Sequence, residues 1–213
     1  MTGQINLGSS AGDLIKRLSQ RQDVQQIVEI GTWNGLGSTV CVLSGIKNTH
    51  KQFLSIELYP EMYEVAKRNL SEHLPRFSLI CGTIVTIEDL NWFNHQTVRD
   101  AIAKEHGAEG IHVAHAKEWF MKDIEAIKHA TNVLNIIPAN IDLLILDGGE
   151  YSTYPEWKKL KDRTKIIFID DTTLMKGAKI RAEIIDSNLY QVIKDDQADR
   201  YGYSVFERKP QNQ

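Results

Sequence analysis

Two sets of residues in this chain have the types and spacing to do chemistry. The first is the stretch Glu29-Ile30-Gly31-Thr32-Trp33-Asn34-Gly35-Leu36-Gly37-Ser38-Thr39, entered by the apolar run Ile27 to Ile30 and left by an apolar run headed by Ser38 and Thr39. Glycine removes the Cβ that keeps backbone away from a ligand, and a helix opening after such a turn aims free N–H groups at whatever lies there. The second is a series of carboxylates that close apolar runs: Glu29, Glu57, Asp147 and the pair Asp170-Asp171. Acid beside the turn repels a bare diphosphate and suits a cationic ligand, ribose hydroxyls or a divalent metal.

The apolar runs say why these residues share one place. Ile27–Ile30, Phe53–Glu57, Phe77–Cys81, Ile141–Asp147 and Lys165–Asp171 read as strands, and the near-continuous apolar character of the last two is that of parallel strands buried on both faces. Helical spacing lies between them. It covers Leu14, Ile15 and Leu18 with Ser10 or Asp13 near the helix start, then Val40 to Ile46, then Met62 to Leu70 behind Pro60 at the first helical position. Pro155 to Lys161 and Met175 to Ile185 follow. Tyr190–Ile193 and Tyr203–Phe206, flanking a polar turn from Asp195 to Gly202, read as an antiparallel hairpin. Strands alternating with helices give a parallel sheet with right-handed crossovers, whose ligand crevice lies beyond the carboxyl ends of the strands. Glu29, Glu57, Gly82-Thr83, Asp147 and Asp170-Asp171 stand at those ends. Residues from about 86 to 138 are too many for a simple connection and read as a helical insertion over one end of the sheet, with Phe120, Ile124 and Ile127 on one side.

Bulk properties narrow the classes. The chain has 213 residues, 42% apolar and 25% charged, which suits a single globular domain over 1–213. A net charge of −3 gives no reason to expect nucleic acid, and Lys158 to Arg163 reads as a solvated helix end. No apolar run is long enough to span a membrane, and the first residues lack the basic and apolar regions of a signal peptide. Cys41 and Cys81 in apolar surroundings read as buried free thiols. A cytoplasmic protein is expected, and a homo-oligomer is left open.

The residues described resemble the class I S-adenosylmethionine-dependent methyltransferases. Glu29-x-Gly31-x-x-x-Gly35 looks like that family's first motif, and Ser55-Ile56-Glu57-Leu58-Tyr59-Pro60 like its second, whose acid accepts hydrogen bonds from both ribose hydroxyls. The likeness covers most of 25–83 and 139–208. It implies a doubly wound, Rossmann-like α/β fold with a seven-stranded, mostly parallel sheet and an antiparallel last strand. It also implies S-adenosylmethionine held by Glu29, Gly31, Gly35, Gly37, Ser38, Glu57, Thr83 and Asp147. Within the superfamily the look is that of catechol- and caffeoyl-type O-methyltransferases and related small-molecule or sugar enzymes. Their pattern places Asp after the fourth strand and Asp-Asn after the fifth to hold Mg²⁺. Asp147, Asp170 and Asp171 match these positions, with Asp171 where Asn is usual. Glu150 stands where those branches have Lys or His as base, and is the candidate catalytic base beside Asp147. The implied reaction is O-methylation of a small hydroxylated acceptor.

Other readings remain open at this level. Gly31-x-x-x-Gly35-x-Gly37 with Tyr154-x-x-x-Lys158 resembles short-chain dehydrogenases, although Asn140, Ile141 and Asp142 stand where their serine would fall. A cofactor-binding protein without catalysis fits the Glu150 departure. One of Asp170 and Asp171 is expected to cap the following helix. His112 and His115 are spaced as metal ligands can be, but read as ordinary surface or core histidines. Tyr151, Tyr154 and Trp157 either line a pocket or pack the insertion.

Overall fold

The computed structural model describes residues 5–92 and 113–210. Seven strands form one sheet: β1 (Gln26–Ile30), β2 (Gln52–Glu57), β3 (Ser78–Cys81), β4 (Ile141–Leu146), β5 (Thr164–Asp170), β6 (Tyr190–Asp196) and β7 (Tyr203–Arg208). Their order is β3-β2-β1-β4-β5-β7-β6. The first five are parallel, β7 runs antiparallel to β5, and β6 pairs antiparallel with β7. The fold is therefore the doubly wound, Rossmann-like sheet that the sequence implied. The helices are α1 (Ser10–Gln20), α2 (Ser38–Gly45), α3 (Pro60–Asn69), α4 (Val113–His129), α5 (Thr153–Leu160) and α6 (Met175–Ser187).

Alternation along each strand divides the core in two. Ile27, Phe53, Leu143, Ile145, Ile166 and Phe168 face one side and pack with Ile15 and Leu18 of α1, Val42 of α2 and Ala66 of α3. Val28, Ile30, Ile56, Leu144, Leu146, Ile167 and Ile169 face the other, against Phe120 and Ile127 of α4, Trp157 of α5 and Ile180 of α6. Both faces are covered, so the central strands carry almost no polar residue. Winding reverses between β1 and β4, and at such a switch point the loops part and leave a crevice.

Several boundaries moved. Ser9 caps α1, its side chain accepting from the Gly12 N–H. Helix α5 begins two residues before Pro155, a position a proline tolerates in the first turn because no N–H is needed there. Strand β6 runs through Asp196, so part of the expected polar turn is strand, with a bulge between Val192 and Lys194. Neither Asp170 nor Asp171 caps α6; Leu174 stands at that position, and its N–H is taken by the Asp171 carbonyl at 3.0 Å. Among the described residues, no helix is long and apolar enough to cross a membrane.

Candidate functional site

The glycine turn is built by what presses on it from behind. Gly31 has φ +96°, and a Cβ there would lie 2.1 Å from the Asp147 carbonyl oxygen, so glycine is what lets the ends of β1 and β4 meet. Gly35, at φ +79°, faces Leu70 beyond α3, whose side chain a Cβ would reach at 2.6 Å. Its absence of a side chain serves packing. Glu29 is fully buried beneath the turn. Its Oε2 accepts from Thr39 Oγ1 at 2.7 Å and Ser55 Oγ at 2.5 Å, and the Oε1 has no partner among the described residues. Burial pushes this carboxyl above the ordinary range, against the hydroxyls of Ser38, Ser55 and Thr39. Glu29 thus ties the head of α2 to β2.

A cavity of about 590 Å³ opens in front of the turn, at the carboxyl ends of β1, β2 and β4. Gly31, Gly37, Ser38, Glu57, Thr83, Asp147, Glu150, Asp170 and Asp171 line it; Glu29 and Gly35 lie outside the lining. Glu57 is buried at the end of β2, with Oε2 accepting from the Trp33 N–H at 2.6 Å and Oε1 from the Tyr59 N–H at 2.9 Å. Burial pushes it up to about 7, against these two hydrogen bonds. Trp33 holds φ +51° to make its bond, a conformation that costs a bulky residue free energy and that the turn imposes.

Sequence reasoning missed three charged groups here. Asp123 of α4 lines the cavity, accepts a short hydrogen bond from the Tyr59 hydroxyl and is pushed up to about 6 by burial. Glu156 of α5 is 5% exposed, its Oε2 faces no partner among the described residues, and burial pushes it up to about 8. Lys176, in the first turn of α6, is 5% exposed beneath the pocket floor. The available signal was a charge set inside a helix face otherwise apolar: Asp123 between Phe120 and Ile127, and Glu156 beside Trp157.

The acids after β4 and β5 converge. One oxygen from each of Asp147, Asp170 and Asp171 lies within 4.8 Å of the others. Burial, then the neighbouring Asp170, raises the Asp147 carboxyl well above its usual range, and burial followed by Asp171 pushes Asp170 up to about 6. The oxygen chemistry suits a hard divalent ion, but the cluster already contains cations. Lys176 Nζ is 2.9 Å from Asp171 Oδ2 and 3.5 Å from Glu150 Oε1, and Arg200 Nη2 is 2.7 Å from Asp170 Oδ1. An ion among these three carboxylates would share two of them with internal cations and be repelled by both. Asp171 Oδ1 is buried without a partner among the described residues, but Lys176 and Arg200 already balance the charge of Asp171 and Asp170, so the residues as they stand fit a divalent ion poorly.

Other expectations resolve by position. The Tyr154 hydroxyl donates to Glu183 on α6, and Lys158 pairs with the same carboxylate at 3.3 Å. That pair points away from the cavity and cannot work as a dehydrogenase couple there. Tyr151, Tyr154 and Trp157 are buried outside the lining, with Tyr151 packed on Phe120 at 4.8 Å between ring centroids. They pack α4 and α5. Lys158 and Lys159 sit in the last turn of α5, where cations favour the helix dipole. Cys41 is buried and Cys81 half-buried, both as free thiols. His112 and the side chain of His115 lie outside the described residues.

No protein-family model matches the chain, and no curated protein matches its sequence. Solved structures do match its fold. A methyltransferase from Podospora anserina bound to S-adenosylhomocysteine superposes with TM-score 0.59 at 13% identity, over 93% of this chain and 78% of that one. A putative caffeoyl-CoA O-methyltransferase from Staphylococcus aureus gives 0.58 at 15%, over 95% and 85%. An O-methyltransferase from Bacillus cereus in complex with S-adenosylhomocysteine gives 0.58 at 13%, over 98% and 84%. At these identities the likeness establishes the architecture.

Proposed function

We propose that this protein is an S-adenosylmethionine-dependent methyltransferase acting on a small acceptor, with a hydroxyl oxygen as the accepting atom. The observation that carries the reading is Glu57, a buried carboxylate at the end of β2 that faces the same cavity as the glycine turn. Each of its oxygens accepts one backbone N–H and keeps a lone pair, which suits two adjacent ribose hydroxyls. Ile56, Leu58, Ile84 and Trp119 supply apolar wall for a flat base. The names of the superposed structures support the oxygen acceptor.

S-adenosylmethionine supplies an electrophilic methyl group on a sulfonium centre. The chain supplies orientation and charge placement. Glu29 holds the turn in shape through Thr39 and Ser55. The turn residues Gly31, Gly37 and Ser38 would hold the methionine end, Glu57 the ribose, and Thr83 the base, all of them lining the one cavity. Asp147, whose proton affinity is raised, takes the proton from the acceptor hydroxyl as the oxygen–carbon bond forms. Glu150 is engaged with Lys176 and positions the loop. Metal assistance enters this mechanism at no step.

Glu57→Ala should weaken S-adenosylhomocysteine binding by about 10-fold or more, since a buried acceptor for two hydroxyls is lost. Asp147→Ala should leave that binding within a few-fold and reduce turnover by about 100-fold or more. Titration calorimetry and single-turnover methyl transfer measure the two. Equal small effects from both substitutions would overturn the placement. The ion pairing of Glu150 at the position of the family's base supports a second reading, a cofactor-binding protein without turnover; binding with no transfer to any hydroxylated acceptor would favour it.

A further inference from the structure

Nothing in the recognition of a nucleoside by Glu57 requires a lysine at the pocket floor, yet Lys176 is held there by three contacts from two loops. Its ammonium donates to the Gly148 carbonyl at 3.0 Å, after β4, and lies 2.9 Å from Asp171 Oδ2, after β5. A third contact reaches Glu150 Oε1 at 3.5 Å. The next residue, Gly177, has room for no side chain: a Cβ would lie 2.6 Å from the Asp171 carbonyl oxygen. That close approach seats the first turn of α6 against the loop and brings the ammonium into the cluster. Asp171 is also the one member of the acidic triad that departs from the Asp, Asp-Asn pattern. The Asp171 carboxylate and the buried ammonium face each other as one pair.

We propose that the Asp171–Lys176 ion pair takes the place of a divalent ion in this pocket, so that the protein binds its cofactor and acts without a metal. The ammonium neutralises the Asp171 carboxylate and ties it to the Gly148 loop beside Asp147. Lys176 is a positioning residue in this arrangement. It reaches the pocket through Asp171 and Glu150. The second half of the proposal rests on the methyltransferase reading; the first concerns the chain alone.

The test uses the full chain cleared of metal with a chelator. Binding of Mn²⁺ is followed by electron paramagnetic resonance and by thermal unfolding with millimolar Mn²⁺ or Mg²⁺, each with and without S-adenosylhomocysteine. The wild type should bind no stoichiometric Mn²⁺ and shift in Tm by less than about 1 °C with either ion. Lys176→Arg, which keeps the cation, should behave alike. The double substitution Asp171→Asn with Lys176→Met leaves two aspartates and an amide, and should gain a Mn²⁺ site with a rise of roughly 3 °C or more. Stoichiometric Mn²⁺ on the wild type overturns the proposal. So does a folded double variant that gains no ion. Should the double variant fail to fold, the wild type and Lys176→Arg still decide. Loss of S-adenosylhomocysteine binding by the wild type would sink the methyltransferase reading and leave the metal result standing.

Discussion

At the scale of single residues, the site stores its carboxyl groups in a condition that depends on pH. Glu156, Glu57 and Asp123 are pushed up to about 8, 7 and 6, each chiefly by burial. A carboxyl that holds its proton more tightly when folded makes the native chain bind more protons than the unfolded chain between the two values, so stability falls as pH rises through that interval. Melting temperature of the ligand-free protein should therefore decline from about pH 5.5 to about pH 8.5. Glu156→Gln should flatten the upper part of the decline and add roughly 2–4 kcal/mol near pH 8.5, where the native carboxylate has to ionise in its buried place. A melting temperature that rises over this range would contradict the burial of these groups. Such acids are hard to read in a sequence. Glu57 and Asp147 were legible because each closes an apolar strand, where the fold places its ligand. Asp123, Glu156 and Lys176 lie inside helices, and periodicity reports which face is buried without reporting what a charge on that face meets.

At the scale of elements, residues 93–112 of the helical insertion expected over about 86–138 lie outside the described residues, and its described helix is α4. Its apolar side, with Phe120 and Ile127, fills the core, and its Asp123 meets Tyr59 at the start of α3. Lys122 lies 4.3 Å over the Tyr59 ring and 3.3 Å from Glu61. One helix turn of α4 is thus pinned to the segment that follows Glu57. Tyr59→Phe should destabilise the protein by about 1–2 kcal/mol, because it leaves a buried carboxyl without its donor; Asp123→Asn, which keeps an acceptor, should cost less. Urea unfolding of the two variants tests the order. Strands β4 and β5 were legible almost to the residue, since burial on both faces leaves an unbroken apolar run. The pairing of β6 with β7 was legible too, but not the far end of β6, because Lys194 and Asp195 are exposed and polar and leave no hydrophobic trace.

At the scale of the molecule, burial is graded across the sheet. Strands β1, β4 and β5 sit in the middle with both faces covered, whereas β6 is an edge strand with Val192 56% exposed and a bulge. Amide exchange should be slowest in the three central strands and fast in β6, with β3 at the opposite edge between them; protection in β6 equal to that of β4 would mean that something covers this edge in solution. The two ends of the Asp171–Lys176 pair come from a loop and the helix that follows it, five positions apart in the chain. Their pairing has a bearing on descent. Replacing Asp171 leaves the lysine its contacts with Glu150 and the Gly148 carbonyl, whereas replacing Lys176 leaves the Asp171 and Glu150 carboxylates without their shared cation, at roughly 3–5 kcal/mol. That is a large share of the ~5–15 kcal/mol by which a domain of ordinary stability is folded. The cluster is therefore easier to leave by losing the Asp171 acid than by losing the lysine, a one-way bias on descent that follows from the shared cation.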